Sequence, residues 1–414
     1  MTAPALTDVI QLRVHSIAAG GDGVGRSEGL VVFVPRTAPG DLALVRIDSV
    51  KRFARGTLES VIEPSPDRIV PPCAHYVIDR CGGCQLQHMR YDAQLEAKRV
   101  VVRDSLQRIA KADVTLPTIR PSAKQWRYRN KLTLAMRRRG DGWTMGLHPH
   151  DDPAAVFQLA DCPITDERVV AGWREIMAAA ALLPDVPELR GTVRLVGDEI
   201  VVLVRGGDVW PRAEDFFAEL PTASALWWAP EHRRATLLFE RRSAPAATSF
   251  GQVNEEVGAA LHRHVVERVA AHSPRTVVDA YAGTGETATA LAASGIRVTA
   301  IEIDREAANL CASRLPAGSR SIVGRVEDSI AKALPADLVV VNPPRVGLHE
   351  RVTRALEAQP SRVGAILYVS CDPATLARDI ARLPSYRVHS VETFDMFPQT
   401  AHVETVCELV AAAA

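Results

Sequence analysis

Strand-like and helix-like runs alternate from residue 246 onward, which predicts an α/β fold built on an open parallel sheet with helices on both faces, the Rossmann-like arrangement. Thr276 to Ala280, Arg297 to Ile301, Leu338 to Val341 and Ala365 to Val369 are short, apolar and rich in β-branched residues, with helical segments between them. Two further observations extend the prediction toward the N-terminus. Residues 9 to 62 alternate Val/Leu/Ile runs with glycine turns, the pattern of a small OB-like β-barrel. Residues 63 to 245 add more strand-like runs and a cysteine motif, which suggests a β-rich central domain. The expected division is therefore 1–62, 63–245 and 246–414.

Composition bounds the function. The chain has 414 residues, 47% hydrophobic and 24% charged, as soluble globular proteins do, and its formal charge is zero. Any contact with nucleic acid must come from local clusters of charge. No apolar run reaches the ~18 residues of a membrane span, and the N-terminus lacks the charged-then-apolar pattern of a secretory signal, so a cytoplasmic protein without membrane association is expected. Seven cysteines, an odd number in such a chain, point to metal or catalytic use and away from a disulfide framework.

In the barrel region the runs are Val9 to Ile17, Leu30 to Val34, Leu42 to Ile47 and Gly56 to Val61, with Gly20-Gly21-Asp22-Gly23 and Pro39-Gly40-Asp41 as turns. Lys51, Arg52 and Arg55 surround Phe53 in a loop suited to a nucleic-acid backbone, although basic loops are often merely solvated. Pro64, Pro66, Pro71 and Pro72 mark a linker.

Next come Cys73 and Cys81-Gly82-Gly83-Cys84, with Cys162 far downstream in Ala160-Asp161-Cys162-Pro163. A Cys-x-x-Cys pair lets two thiolates share a metal, and its glycines let the backbone curl around the site. One pair with two single cysteines and a following proline is closer to a four-thiolate iron–sulfur cluster than to a two-pair zinc site. Spacing leaves cluster, zinc and unliganded thiols all open.

Residues 91 to 111 have helical spacing in Tyr91, Leu95, Lys98, Val102, Leu106 and Ile109. Between Arg120 and Arg139 lie eight basic residues and no acidic one, with Trp126 and Tyr128 among them. Alternation from Trp126 to Leu134 predicts a strand that presents Arg127, Arg129 and Lys131 on one face, a phosphate-contacting surface if it is not simply solvated. Further strands are expected at 192 to 205 and 235 to 240.

In the C-terminal part, the first strand runs into Asp279-Ala280-Tyr281-Ala282-Gly283-Thr284-Gly285-Glu286. Gly283 and Gly285 allow a tight turn and close approach of a ligand, which serves a nicotinamide cofactor or S-adenosylmethionine equally well. Glu302, ending the next strand, can accept two ribose hydroxyls of either. Asn342-Pro343-Pro344-Arg345 forms a rigid turn that offers an amide to a nucleobase edge. Such a turn suits methylation of an exocyclic amine, which needs no thiol.

A second chemistry uses Cys371, placed where the strand Ala365 to Val369 gives way to Ser370-Cys371-Asp372-Pro373 and a helix opening at Ala374. Carbon 5 of a pyrimidine is a poor nucleophile, and thiolate addition at carbon 6 turns the ring into an enolate able to take a methyl group. A base must then remove the carbon-5 proton. Glu404 and His402, in Pro398-Gln399-Thr400-Ala401-His402-Val403-Glu404, are both candidates. Two last strands, Tyr386 to Phe394 and Val403 to Val410, complete the sheet.

Together these motifs resemble the RNA 5-methyluridine methyltransferase family, in the 23S rRNA form with an N-terminal TRAM barrel and an iron–sulfur cluster. The resemblance spans nearly the whole chain and rests on the cysteine motif, Tyr128-Arg129-Asn130-Lys131, Ser249-Phe250-Gly251-Gln252-Val253-Asn254, Tyr368-Val369-Ser370-Cys371-Asp372-Pro373-Ala374-Thr375 and Pro398 to Glu404. It implies a class I S-adenosylmethionine-dependent enzyme. Cys371 would be the nucleophile and Glu404 the base. Gln252, Tyr281, Glu302 and Asn342, with Gly283 and Gly285, would hold the cofactor and base. Cys73, Cys81, Cys84 and Cys162 would hold a [4Fe–4S] cluster. Lys51, Arg52, Arg127, Arg129 and Lys131 would contact RNA, the substrate being ribosomal or transfer RNA and the protein a monomer. The chain departs from the family at Asn342, where Asp is usual, at Asp372, where Asn is common, at Gly251, where an aromatic precedes the glutamine, and at Glu286, where Asn ends the glycine loop. An RNA-binding relative that has lost activity is the alternative suggested by Asn342 and Gly251.

Overall fold

The computed structural model describes residues 5–242, 251–358 and 363–412. Ser249 and Phe250 of the glutamine motif lie outside them.

Five strands close a barrel at the N-terminus: Val9–Ile17, Gly23–Ser27, Leu30–Val34, Ala54–Glu63 and Leu42–Val50, in that order around it. Leu12, Val32, Val34, Ala43, Val45 and Ile47 fill the interior. The strand Gly23–Ser27 was not expected, because its Gly-Val-Gly-Arg-Ser sequence reads as turn. Closure explains the glycines: a Cβ on Gly25 would lie 2.6 Å from Leu12 Cγ and 2.7 Å from the Arg13 carbonyl oxygen. A strand crossing that close to its neighbour tolerates no side chain.

A six-stranded sheet follows, ordered Thr236–Glu240, Ala223–Ala229, Glu199–Arg205, Glu188–Val196, Lys131–Arg139 and Gly142–Gly146. The run expected at 192 to 205 is a hairpin, turned by Gly197 at φ +60° and Asp198. The basic strand lies later than expected. It starts at Lys131, and residues 126 to 130 are irregular, with Arg127 held at φ +54°.

The eight-stranded sheet runs Arg320–Val323, Arg297–Glu302, Thr276–Ala280, Leu338–Val341, Ala365–Ser370, Glu404–Ala411, Tyr386–Phe394 and Thr118–Arg120. The first five strands are mutually parallel and Glu404–Ala411 is antiparallel to Ala365–Ser370. Alternate residues serve two cores. Val278, Ala280, Val339, Val341, Ile366 and Tyr368 face one layer of helices, whereas Val277, Val298, Val340, Leu367 and Val369 face the other. Thr276–Ala280 lies between Arg297–Glu302 and Leu338–Val341, so the strand order reverses there, and a crevice opens outside its carboxyl end. Segment 91–120 also joins this unit: helix Tyr91–Arg108 contributes Val102 and Leu106 to its core, and Thr118–Arg120 is its edge strand. Among the described residues no helix is long and apolar enough to cross a membrane.

Candidate active site

A cavity of about 420 Å³ occupies that crevice. Gln252, Tyr281, Gly283 and Asn342 line it together with Asn130, Arg194, Glu255, His262 and Asp279. Each arrives for a local reason. The turn after Thr276–Ala280 holds Tyr281 at φ +63°, Gly283 at +56° and Gly285 at +82°. Gly285 heads helix Glu286–Ala293 and lies against Cys311, whose Sγ any Cβ at 285 would overlap. It shapes the turn from behind and is not among the lining residues. Glu302 is likewise behind the turn, its carboxylate accepting from Gly283 N at 2.9 Å and Asp304 N at 2.8 Å. Gln252 is held through its backbone, the Asn130 amide donating to its carbonyl oxygen at 3.1 Å and to Glu255 Oε1 at 2.9 Å.

Asp279 is a lining residue that the sequence did not single out. Burial pushes its carboxyl up to about 7, and the nearby Glu302 charge acts the same way, though Ala288 N–H opposes both. Its buried Oδ2 has no hydrogen-bond partner in the structure. An acidic residue at the second-last position of a short strand, between Val278 and Ala280, is the signal that could have marked it.

Cys371 follows strand Ala365–Ser370, and Asp372 caps the next helix, Pro373–Ile380, by accepting from Thr375 N at 2.8 Å. The antiparallel register ends with Ser370 paired to Thr405, so Cys371, one residue past the first strand, and Glu404, which opens the second, lie at the same end of the strand pair. Their electrostatics agree with this placement. Burial raises the Cys371 thiol, the Glu404 charge raises it further, and Arg345 lowers it. Burial pushes Glu404 up to about 7 against the pull of Arg345. His402 goes the other way: burial and the Arg345 charge push it down to about 4, and Arg345 Nη2 lies 3.5 Å from its Nε2. Arg345 therefore faces Cys371, Glu404 and His402 at once. The sequence had offered it only as the last residue of the Asn342-Pro343-Pro344-Arg345 turn.

The cysteines Cys73, Cys81, Cys84 and Cys162 are free thiols within electrostatic reach of one another. Burial pushes Cys81 up to about 11 and raises Cys84 and Cys162 as well. Gly83 N–H donates to Cys81 Sγ at 3.4 Å. Among the described residues, however, no three His, Cys, Asp or Glu side chains are grouped so as to hold a metal ion.

The basic candidates have different surroundings. Lys51 and Arg52 are exposed at the barrel's edge. Arg127 spends its guanidinium on Asp161, at 2.9 and 2.8 Å, and on the carbonyl oxygens of Cys162 and Thr165, so it braces the loop of the last cysteine. Arg129 Nε donates to the Lys131 carbonyl oxygen at 2.9 Å. Burial, with Arg194 and Arg129 nearby, lowers Lys131.

Residues 317–411 match the family model described as tRNA (Uracil-5-)-methyltransferase. An uncharacterized RNA methyltransferase of Halalkalibacterium halodurans is 32% identical, with 97% of each chain covered, and one of Listeria monocytogenes is 31% identical at the same coverage. The crystal structure of the Pyrococcus abyssi tRNA (uracil-54, C5)-methyltransferase in complex with S-adenosyl-L-homocysteine has the same fold, with a TM-score of 0.71, 24% identity, and 97% of this chain and 99% of that one covered. The 32% identity to the first of these relatives along nearly the whole length, with the family model matched at the C-terminal end, settles the relationship: the chain belongs to the family of RNA uracil-5-methyltransferases.

Proposed function

We propose that this methyltransferase makes 5-methyluridine in RNA through a covalent adduct between Cys371 and carbon 6 of the target uracil, with Glu404 as the base. The observation that carries the reading is that Cys371 and Glu404 lie at the same end of one antiparallel strand pair, near enough for the Glu404 charge to act on the thiol, with Arg345 acting on both. S-adenosylmethionine supplies the electrophilic methyl group on a sulfonium. The chain's own residues do the rest. The Cys371 thiolate forms the S–C6 bond as the C5–C6 double bond opens, and the charge moves onto carbon 5 and the exocyclic oxygen O4, which Arg345 would balance. Once carbon 5 carries the methyl group, Glu404 takes its proton, the C5–C6 double bond re-forms and the S–C6 bond breaks. A carboxyl poised near neutrality suits that step, whereas His402, pushed down to about 4, is a weaker base at neutral pH.

Gln252, Tyr281, Gly283, Gly285 and Glu302 are proposed to hold the methyl donor, directly or by shaping the turn. Asn342 is proposed to read uracil, its oxygen accepting from N3–H and its amide donating to O4. Large ribosomal RNA is the proposed target and transfer RNA the alternative, reached through Lys51 and Arg52 on the barrel and through Arg129 and Lys131. A three-part division at 62 and 245, with residues 91 to 120 of the middle part packed onto the third, and a monomeric, cytoplasmic state complete the proposal.

The four cysteines are proposed to bind a [4Fe–4S] cluster. Four reduced thiols with glycine-permitted backbone around them are a fitting donor set, and a four-iron cluster spreads its thiolates more widely than one tetrahedral ion does. The cluster would place charge and covalent cross-links among these loops. Brown anaerobic protein with equal iron and acid-labile sulfide supports this, and colourless protein containing zinc overturns it.

Methyl transfer to unmodified RNA by native protein and Cys371→Ala tests the reaction. The reading expects 5-methyluridine from the native protein and none from the variant. Transfer that survives loss of Cys371 and lands on an exocyclic amine would establish the other chemistry, and RNA and cofactor binding without transfer would establish an inactive relative.

A further inference from the structure

The turn that leads into Glu404 is held by side chains from far away in sequence. Lys98 Nζ donates to the Phe397 carbonyl oxygen at 3.0 Å, and Tyr128 Oη donates to that of Pro398 at 3.0 Å. Gln94 and Gln399 form a reciprocal pair: Gln94 Nε2 donates to Gln399 Oε1 and Gln399 N donates to Gln94 Oε1, both at 3.0 Å. Gln85 N and Leu86 N donate to the Gln399 carbonyl oxygen at 3.1 and 3.0 Å, and Ala401 N donates to Gln85 Oε1 at 3.2 Å. Gln399 itself sits at φ +70°, a conformation a glutamine adopts only under constraint. These groups are buried, with Gln94 1% and Gln399 2% exposed, so a lost hydrogen bond is not replaced by water.

Helical spacing explains the source. Gln94 and Lys98 are one turn apart on helix Tyr91–Arg108 and present polar tips where an ordinary amphipathic helix would bury carbon. Tyr128 packs among Cys73, Tyr76, Cys84 and Ile164, and Gln85 directly follows Cys84. The footing of the turn is thus the cysteine-bearing core, and its outward end is the base of the active site.

We propose that Gln85, Gln94 and Tyr128 are positioning residues that clamp the turn 396–402 and thereby aim Glu404 at the carbon-5 proton, without acting on the attack by Cys371. The proposal rests on the roles given to Cys371 and Glu404 above. Addition depends on the strand end at Ser370, which the clamp does not touch, whereas proton removal depends on the strand start at Glu404, which it does.

The test compares native protein with Tyr128→Phe, which removes one hydroxyl, and Gln94→Ala. Hydrogen exchange of the peptide 396–403 reads the clamp, and single-turnover methylation of RNA reads adduct formation and adduct release separately. The proposal expects exchange in that peptide to quicken about tenfold or more, in keeping with the loss of one buried hydrogen bond. It expects adduct release to slow about tenfold while adduct formation and the KM for the methyl donor stay within about twofold. Unchanged exchange, or faster exchange with release unaltered, overturns it, as does equal slowing of formation and release. If the native protein forms no adduct, the covalent reading fails by itself, and the clamp is then judged on exchange together with kcat. A tenfold lower kcat at constant KM supports it, and native kcat overturns it.

Discussion

Burial pushes the Glu404 carboxyl up to about 7, and this fixes the sign of the pH dependence expected of the proposed reaction. With its carboxyl pushed up to about 7, Glu404 is protonated below that pH and cannot take a proton. Adduct release should therefore rise as pH increases through about 7 and level off above it, and stopped-flow release rates between pH 5.5 and 8.5 check this. Glu404→Gln should flatten the profile and accumulate adduct, slowing release by about 10²- to 10⁴-fold, the usual contribution of a general base. Arg345 lowers both Glu404 and Cys371, so Arg345→Met should move the rising limb upward by roughly one pH unit. An unmoved limb would show that Arg345 does not face these groups. Cys371 and Glu404 were legible in the sequence as members of motifs. The role of Arg345 was not, because a charge beside a thiol and a carboxylate is a fact of tertiary packing among three strand ends.

Among the elements, the apolar strands of the C-terminal sheet were readable since strands buried on both faces are nearly continuous runs of Val, Leu and Ile, as in Leu338–Val341. Gly23–Ser27 was not, because the glycines that permit barrel closure erase the apolar pattern. The basic strand was read five residues early, since Arg127 and Arg129 alternate as a strand would while bonding to the Cys162 loop and to Lys131. The turn before helix Glu286–Ala293 gives a prediction at this scale. Gly285→Ala meets both a left-handed φ of +82° and the Cys311 side chain. It should cost about 1–3 kcal/mol in urea unfolding and weaken binding of the methyl donor by calorimetry. The double change with Cys311→Ala should recover part of the loss, because only the steric component is relieved.

Across the whole molecule, the cysteine-bearing region and the catalytic sheet are not independent bodies. Lys98 and Asp395 form an ion pair at 2.5 Å with the Lys98 side chain 2% exposed and that of Asp395 0% exposed, joining helix Tyr91–Arg108 to the turn before Glu404. Removing one partner strands a buried charge, so Lys98→Met should destabilise the protein by about 3–5 kcal/mol, whereas Lys98→Met with Asp395→Leu should recover much of it. Equal stability of the single and double variants would contradict this coupling. Sequence pattern could not reveal it, since the two residues are 297 positions apart. Division into successive domains follows chain order, and the helix that braces the catalytic turn comes from the middle of the chain.

The central claim is that a thiolate at position 371 becomes bonded to the pyrimidine ring. Incubation with RNA carrying 5-fluorouridine at the target isolates that step, because the fluorine leaves Glu404 no proton to remove. Native protein should form a stable protein–RNA adduct in the presence of S-adenosylmethionine, visible as a shifted band under denaturing conditions, and Cys371→Ala should form none. An adduct of equal yield with Cys371→Ala would contradict the account.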